Sequence, residues 1–470
     1  MGQHAEPLLE RNQILLPAAV MLLSSCGGYD QGYPTGYAGP PGYGGAGNST
    51  QALLEVFHAS PDAPPVNVLL DGTVIYSNLG FGDGTGQIAV DPTQTHTLAV
   101  QALTPGAPTT VIGPLTESFA ADTVYTIAAE GPVASLSPVV FSHSQTSIAA
   151  GAVRLQVLHA APSAPSVSVY LTAPGASLSS SAPLGSFAFQ GSLGPTDISA
   201  GQYEIRVTPA GAASPVLFDS GTITLLAGAD LLLAAVQNTG PGTAPIEIAS
   251  VDQNGRNRLL FDVSTPADVR VVHGIADGPA VSVYANGSTT PVVASLEFAN
   301  FTAYLNETPG DYDFTVTPAG NVGDILLSQQ LVLNAGTLHT IYAVGPLANA
   351  NTFVTHDDDR RIATEAKLRI VHGSPSAGLV DIYLTAVGAN IASLSPTYAD
   401  VPFEADTGFQ GVAAGSYSLT ITAAGSKTAA IGPLMVTLQD SGIYTAVARD
   451  AAGGGSPLGL ILLDDFAADP

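Results

Sequence analysis

The sequence predicts an all-β protein: four tandem immunoglobulin-like β-sandwich modules. Three observations lead there. First, a strand-like run ends in a histidine and drops into a turn four times, as Phe57-His58-Ala59-Ser60-Pro61, Leu158-His159-Ala160-Ala161-Pro162, Val272-His273-Gly274-Ile275-Ala276 and Val371-His372-Gly373-Ser374-Pro375. The histidines lie 101, 114 and 99 residues apart, the length of a small all-β domain. Second, 51 Gly and 35 Pro in 470 residues supply many turns. Third, apolar residues show no extended helical period after residue 50.

The elements follow in chain order. Ile14 to Leu23 is an apolar run too short to span a bilayer and of the length of a secretory core segment. It leads into Leu23-Ser24-Ser25-Cys26-Gly27, which resembles the lipobox of bacterial lipoproteins. That resemblance implies cleavage before Cys26 and acylation of its thiol. Gly27, in place of Asp, resembles the outer-membrane-sorted class. The n-region departs from the usual positive charge, with Arg11 set against Glu6 and Glu10. Residues 1–25 are thus expected to be a lipoprotein signal peptide. Residues 26–50, dominated by Gly and Pro with Tyr29, Tyr33, Tyr37 and Tyr43, are expected to be a flexible tether. Cys26 is the chain's one cysteine, so no disulfide staples the modules.

The first module, 51–150, sets the strand plan. Leu53–His58 and Val66–Leu70 read as strands, and Asp71-Gly72 before Thr73–Tyr76 is a strong hairpin signal. Further strands are expected at Gln87–Val90, His96–Gln101, Val124–Ala129 and Pro138–Ser142. Gly80 to Gly86 reads as a loop between strands, since no Lys or helix follows it as a phosphate loop requires. The remaining modules are expected at 151–264, 265–364 and 365–470.

Two module types alternate. Asp71-Gly72 and Asn286-Gly287 begin thirteen residues after their histidines, whereas Gly175 and Gly388 come sixteen after theirs. A second signature, Gly201-Gln202-Tyr203 to Pro209-Ala210-Gly211, recurs from Gly310 and from Gly415, and His96 takes the tyrosine's place in the first module. His58 to His273 is 215 residues and His159 to His372 is 213, so a two-module unit was duplicated. Each half is expected to dock as a fixed pair, with a looser joint near Asp262-Val263-Ser264-Thr265-Pro266.

The His-x-Ser-Pro-x-x-Pro opening, the Val-x-Val-Tyr strand and the Gly-x-Tyr-x-hydrophobic-x-Val-Thr-Pro-Ala-Gly strand resemble the bacterial and archaeal extracellular domain of unknown function numbered 4397. Module three departs at Ile275-Ala276-Asp277-Gly278-Pro279 and module one at the Tyr strand. The resemblance implies secretion and β structure and implies no activity.

Composition excludes some functions. A net charge of −26 repels phosphate backbones, so nucleic acid is not an expected partner. No Gly-x-Ser-x-Gly motif occurs. The histidines His58, His159, His273 and His372, repeated at one turn, point to a structural role rather than catalysis or metal binding. Asp357, Asp358 and Asp359 at a module junction are weak calcium candidates, lacking the spaced loop of calcium sites, with Arg360 and Arg361 beside them to neutralise two charges. The expectation is a non-enzymatic, cofactor-free envelope lipoprotein that is held by its lipid anchor. It would present a rod of modules to a surface or matrix partner. A glycan- or small-ligand-binding protein is the alternative, and a secreted hydrolase a more distant one.

Overall fold

The computed structural model describes residues 51–468; the signal segment, Cys26 and the tether fall outside the described residues. The described residues form one compact unit. It is all-β apart from short 3-10 turns and one terminal helical turn, and its strands form eight sheets.

The sheets pair two by two along the chain in one repeated topology. In the first repeat one sheet runs Ile88–Val90, Ala52–Ala59, Thr123–Glu130, Ser137–Ser144, and the other Thr73–Leu79, Val66–Leu70, Thr95–Ala102, Thr109–Ser118. Ala52–Ala59 lies parallel to Thr123–Glu130, and all other neighbours are antiparallel. The same order recurs in the three later repeats, the second gaining a fifth strand, Asn257–Leu260. Each sheet pair encloses its own apolar cluster, such as Leu54, Val56, Val68, Leu98 and Ile127 in the first and Leu155, Val157, Val207, Phe218 and Ile248 in the second.

Local chemistry explains the turns and one surprise. Asp71 and Gly72 both take positive φ, 50° and 76°, as do Asn286 and Gly287 at 52° and 68°, the geometry of a tight two-residue hairpin. Thr109–Ser118 is a strand outside the expected set, and it contains Gly113-Pro114. The pair sits at a shift in register opposite Leu98 and Val100. Gly113 has φ 84°, and a Cβ there would meet the Leu98 carbonyl at 2.5 Å.

The first strand of each repeat is buried on both faces. Alternation sends Leu54 and Val56 into the core of the first repeat. Phe57 points the other way, into a cluster with Leu158, Ala160, Leu232, Ala234 and Val251 of the second. Val272, Tyr342 and Val344 of the third repeat likewise meet Val371, Val447, Ile461 and Leu463 of the fourth. The outer faces therefore pack in pairs, first on second and third on fourth.

The start of the stretch expected to be a loose joint is bonded to the second repeat. Asp262 accepts the backbone N–H groups of Asp219 at 2.7 Å and Ser264 at 2.8 Å, and Val263 donates to the Asp219 carbonyl. The segment after Asp357 also bridges the halves. Arg360 Nη1 donates to the carbonyls of Pro61 at 3.3 Å and Ala63 at 2.8 Å, its guanidinium lies over Phe81, and Ala363 N–H donates to the Asp62 carbonyl. A string in which only sequence neighbours touch does not fit these contacts.

Candidate functional site

The four repeated histidines share one geometry. Nδ1 of His58, His159, His273 and His372 accepts the N–H two residues on, at 3.3, 3.4, 3.4 and 3.3 Å. Nε2 then carries the proton and donates to the carbonyl six residues on, Pro64, Pro165, Pro279 or Gly378, at 3.1, 3.0, 2.9 and 2.7 Å. Each ring meets a phenylalanine edge-on: Phe81, Phe189, Phe298 and Phe403. Burial disfavours the imidazolium and takes His58 down to about 4, with the other three also lowered. A neutral ring with both nitrogens committed to backbone clamps the turn and has no lone pair left for a metal.

The tyrosine signature is equally regular. The hydroxyls of Tyr203, Tyr312 and Tyr417 donate to the carbonyl four residues back, Ser199, Thr308 and Ala413. In the first repeat His96 does this work, Nε2 bonding the Asp91 carbonyl at 2.8 Å and Nδ1 the Asp71 carboxylate at 2.6 Å.

The densest chemistry lies where paired outer faces meet. Counting three residues back from each histidine gives Glu55, Gln156, Arg270 and Arg369, all buried. In the second pair Arg270 and Arg369 converge on Asp357: Arg369 Nη1 lies 2.5 Å and Arg270 Nη2 3.7 Å from its oxygens. Tyr304 donates to Asp357 at 2.6 Å, Thr355 at 2.9 Å, and Thr340 is a third donor. Arg270 also holds Asp464 at 2.5 Å and lies over the Tyr304 ring at 4.6 Å. Burial opposes ionisation of Asp357, but Arg369 and Arg270 outweigh it and hold the carboxyl below its usual range.

In the first pair Glu55 has no such cation. Thr126 donates to it at 3.3 Å, and burial, reinforced by Asp230 and Asp252, pushes it up to about 8. Burial does the same to Glu130 and Glu247. Both carboxyl oxygens of Glu130 are buried and without a hydrogen-bond partner.

The three neighbouring aspartates do not converge on a common point. Asp357 ends a strand and faces the arginines; Asp358 lies in the following segment and pairs with Lys367 at 2.9 Å; burial and Asp358 raise Asp359 to about 6. Neither guanidinium forms an ion pair with them: that of Arg360 reaches into the first repeat and that of Arg361 pairs with Asp465 at 2.6 Å. Among the described residues no group of three His, Cys, Asp or Glu is placed to hold a metal ion. Sequence reasoning missed Glu55, Gln156, Arg270 and Arg369. Their signal was a polar residue at one fixed offset inside an otherwise apolar strand.

The fold and these clamped turns define a protein of duplicated β repeats. Residues 52–170 and 267–383 each match the family described as domain of unknown function DUF4397, together covering half of the chain, and the chain belongs to that family. The matched stretches begin 215 residues apart, the period of the histidine pairs, and each runs from the first strand of one repeat into the second strand of the next. A comparison with curated proteins finds no match. Among solved structures the Bacillus anthracis TIE protein is 11% identical, with 83% of this chain and 67% of that chain covered at a TM-score of 0.15.

Proposed function

We propose that the chain is a non-enzymatic envelope lipoprotein, anchored through Cys26, whose four repeats act as immunoglobulin-like β-sandwich modules for adhesion, matrix contact or envelope scaffolding. The observation that carries this reading is the commitment of the repeated ionisable groups to structure. The four histidines clamp turns, and Arg270, Arg369, Asp357 and Asp464 join two repeats. An enzyme centre instead leaves such groups free toward a substrate. The hydroxyl of each signature tyrosine, returned to the backbone four residues back, is the kind of corner that immunoglobulin-like sandwiches use. The lipobox-like Leu23-Ser24-Ser25-Cys26 and the Gly/Pro tether support surface display.

The test is anchoring. With two or three acyl chains, each buried CH₂ adds about 0.8 kcal/mol, enough for stable attachment. Produced in a Gram-negative host, the protein is expected to sediment with membranes and incorporate labelled palmitate, and Cys26→Ala to lose both. Membrane fractionation of Cys26→Ala unchanged from wild type overturns the lipoprotein reading.

A further inference from the structure

The third repeat carries two histidines that its clamped turn does not use, His339 and His356. They stand directly opposite each other on the antiparallel strands Leu338–Val344 and Asn351–Asp357. Alternation puts both side chains on the face of Ile341 and Val354, at the rim of that repeat's core. His339 is half-buried and His356 exposed. Their ring centres lie 5.3 Å apart.

The other repeats do not keep histidine at this pair of positions. The residue paired with the one four places before each clamping histidine is Tyr125, Leu231, His339 or Tyr444. Across from these stand Ser142, Asp252, His356 and Asp464. The hydroxyls of Tyr125 and Tyr444 accept the backbone N–H groups of Ala120 and Gln439 and so hold a turn. The third repeat has imidazoles at both positions.

Their nitrogens are also used differently. The four clamping histidines commit both nitrogens to backbone. His96 bonds Asp71 and the Asp91 carbonyl, and His143 bonds the Ser144 carbonyl and faces Asp230. A neutral ring has one N–H to give. Burial, with His356 beside it, holds His339 below its ordinary range, and its ring donates to the Thr355 backbone carbonyl. That leaves a lone pair on Nε2, 3.2 Å from Thr337 Oγ1. The Thr337 proton already goes to the Asn334 carbonyl at 2.7 Å, so Nε2 faces an oxygen without receiving a hydrogen bond. The His356 ring has no hydrogen-bond partner among the described residues and touches only the other imidazole. A ligating histidine has this arrangement: the second nitrogen donates to a carbonyl, which fixes the tautomer with its lone pair toward the metal.

We infer that His339 and His356 together bind one divalent transition-metal ion of the imidazole-preferring class, Cu²⁺ ahead of Ni²⁺ and Zn²⁺, with water completing its shell. Nitrogens about 2.0–2.1 Å from an ion, at a near-tetrahedral angle, set two imidazole centres about 5 Å apart, close to the spacing of this pair. Two nitrogen ligands select against Ca²⁺ and Mg²⁺, which take oxygen. With two protein ligands the site is open and exchangeable, and the net charge of −26 draws cations toward it.

The probe is copper(II) chloride, titrated near neutral pH into the full chain carrying Cys26→Ala, which removes its one thiol. Excess calcium chloride occupies surface carboxylates. One ion per chain is expected, with hyperfine splitting from two nitrogens in its paramagnetic resonance spectrum. His356→Asn, at an exposed position, is expected to keep the parent melting temperature and weaken binding by about tenfold or more. His339→Asn should weaken it as much, and His4→Asn should leave it unchanged. No saturable uptake, a spectrum without nitrogen splitting, equal affinity in His356→Asn and its parent, or loss of binding in His4→Asn overturns the site.

Discussion

The two paired interfaces start from one plan and solve it with opposite chemistry. Both set an apolar residue immediately before the histidine, Phe57 on Leu158 in one pair and Val272 on Val371 in the other. Two residues further back they diverge. The second pair buries two arginines around Asp357 and Asp464. The first buries Glu55 against Thr126 without a cation, and the carboxyl is neutral near pH 7. A duplicated interface therefore tolerates loss of the charge at its centre while the apolar rung beside it stays in place.

The largest expected break is in the second pair. Asp357→Ala strands Arg369 and Arg270 in the interior and is expected to cost about 3–5 kcal/mol in urea unfolding. A loss under 1 kcal/mol would mean that the network is not what holds that interface. Next comes His159→Ala, which frees the Pro165 carbonyl and the Ala161 N–H. A loss of about 1–3 kcal/mol is expected, read as a lower melting temperature. Unchanged melting would remove the clamp from the account.

The pH dependences should oppose each other. Glu55 has its folded value, about 8, above its unfolded value, so its contribution is whole below about pH 4.5 and is lost as pH rises toward 8. Asp357 is depressed, so its contribution is present above about pH 4 and is lost as pH falls through the folded value. His58, lowered to about 4, adds an acid limb to the first pair, where stability drops as pH falls from 6.5 toward 4. Glu55→Gln is expected to remove roughly 1–2 kcal/mol of the alkaline loss and leave both acid limbs intact. A stability–pH curve identical to wild type above pH 7 would contradict this. The smallest effect is at the rim. Arg361 is half exposed, and Arg361→Ala should cost about 1 kcal/mol or less, an effect that added salt should erase.

Much of the fold was legible because short-range chemistry determines it. Asp71-Gly72 marks a hairpin wherever it lies between β-rich runs, and the histidine turn repeats with its spacing intact. Thr109–Ser118 was not, since Gly113-Pro114 looks the same in a turn as at a shift in strand register. The Glu55 and Arg270 positions were hidden for a different reason. Alternation tells which side chains leave the core, but only packing between repeats decides that the outer face is also buried. Asp357, Asp358 and Asp359 were weak candidates on adjacency alone: successive residues at a strand end point in different directions, so three acids in a row need not share an ion.

The pairing of Arg270 with Asp464 spans 194 positions of the chain. A ribosome making residues at roughly 5–20 per second takes about 10–40 s to get from one to the other. Through that interval the third repeat carries an arginine whose final acidic partner does not yet exist. Its outer face must stay hydrated until the last strand arrives. The repeat is finished by the end of its neighbour, so a frameshift or proteolytic cut just before residue 464 damages a site encoded nearly two hundred codons upstream.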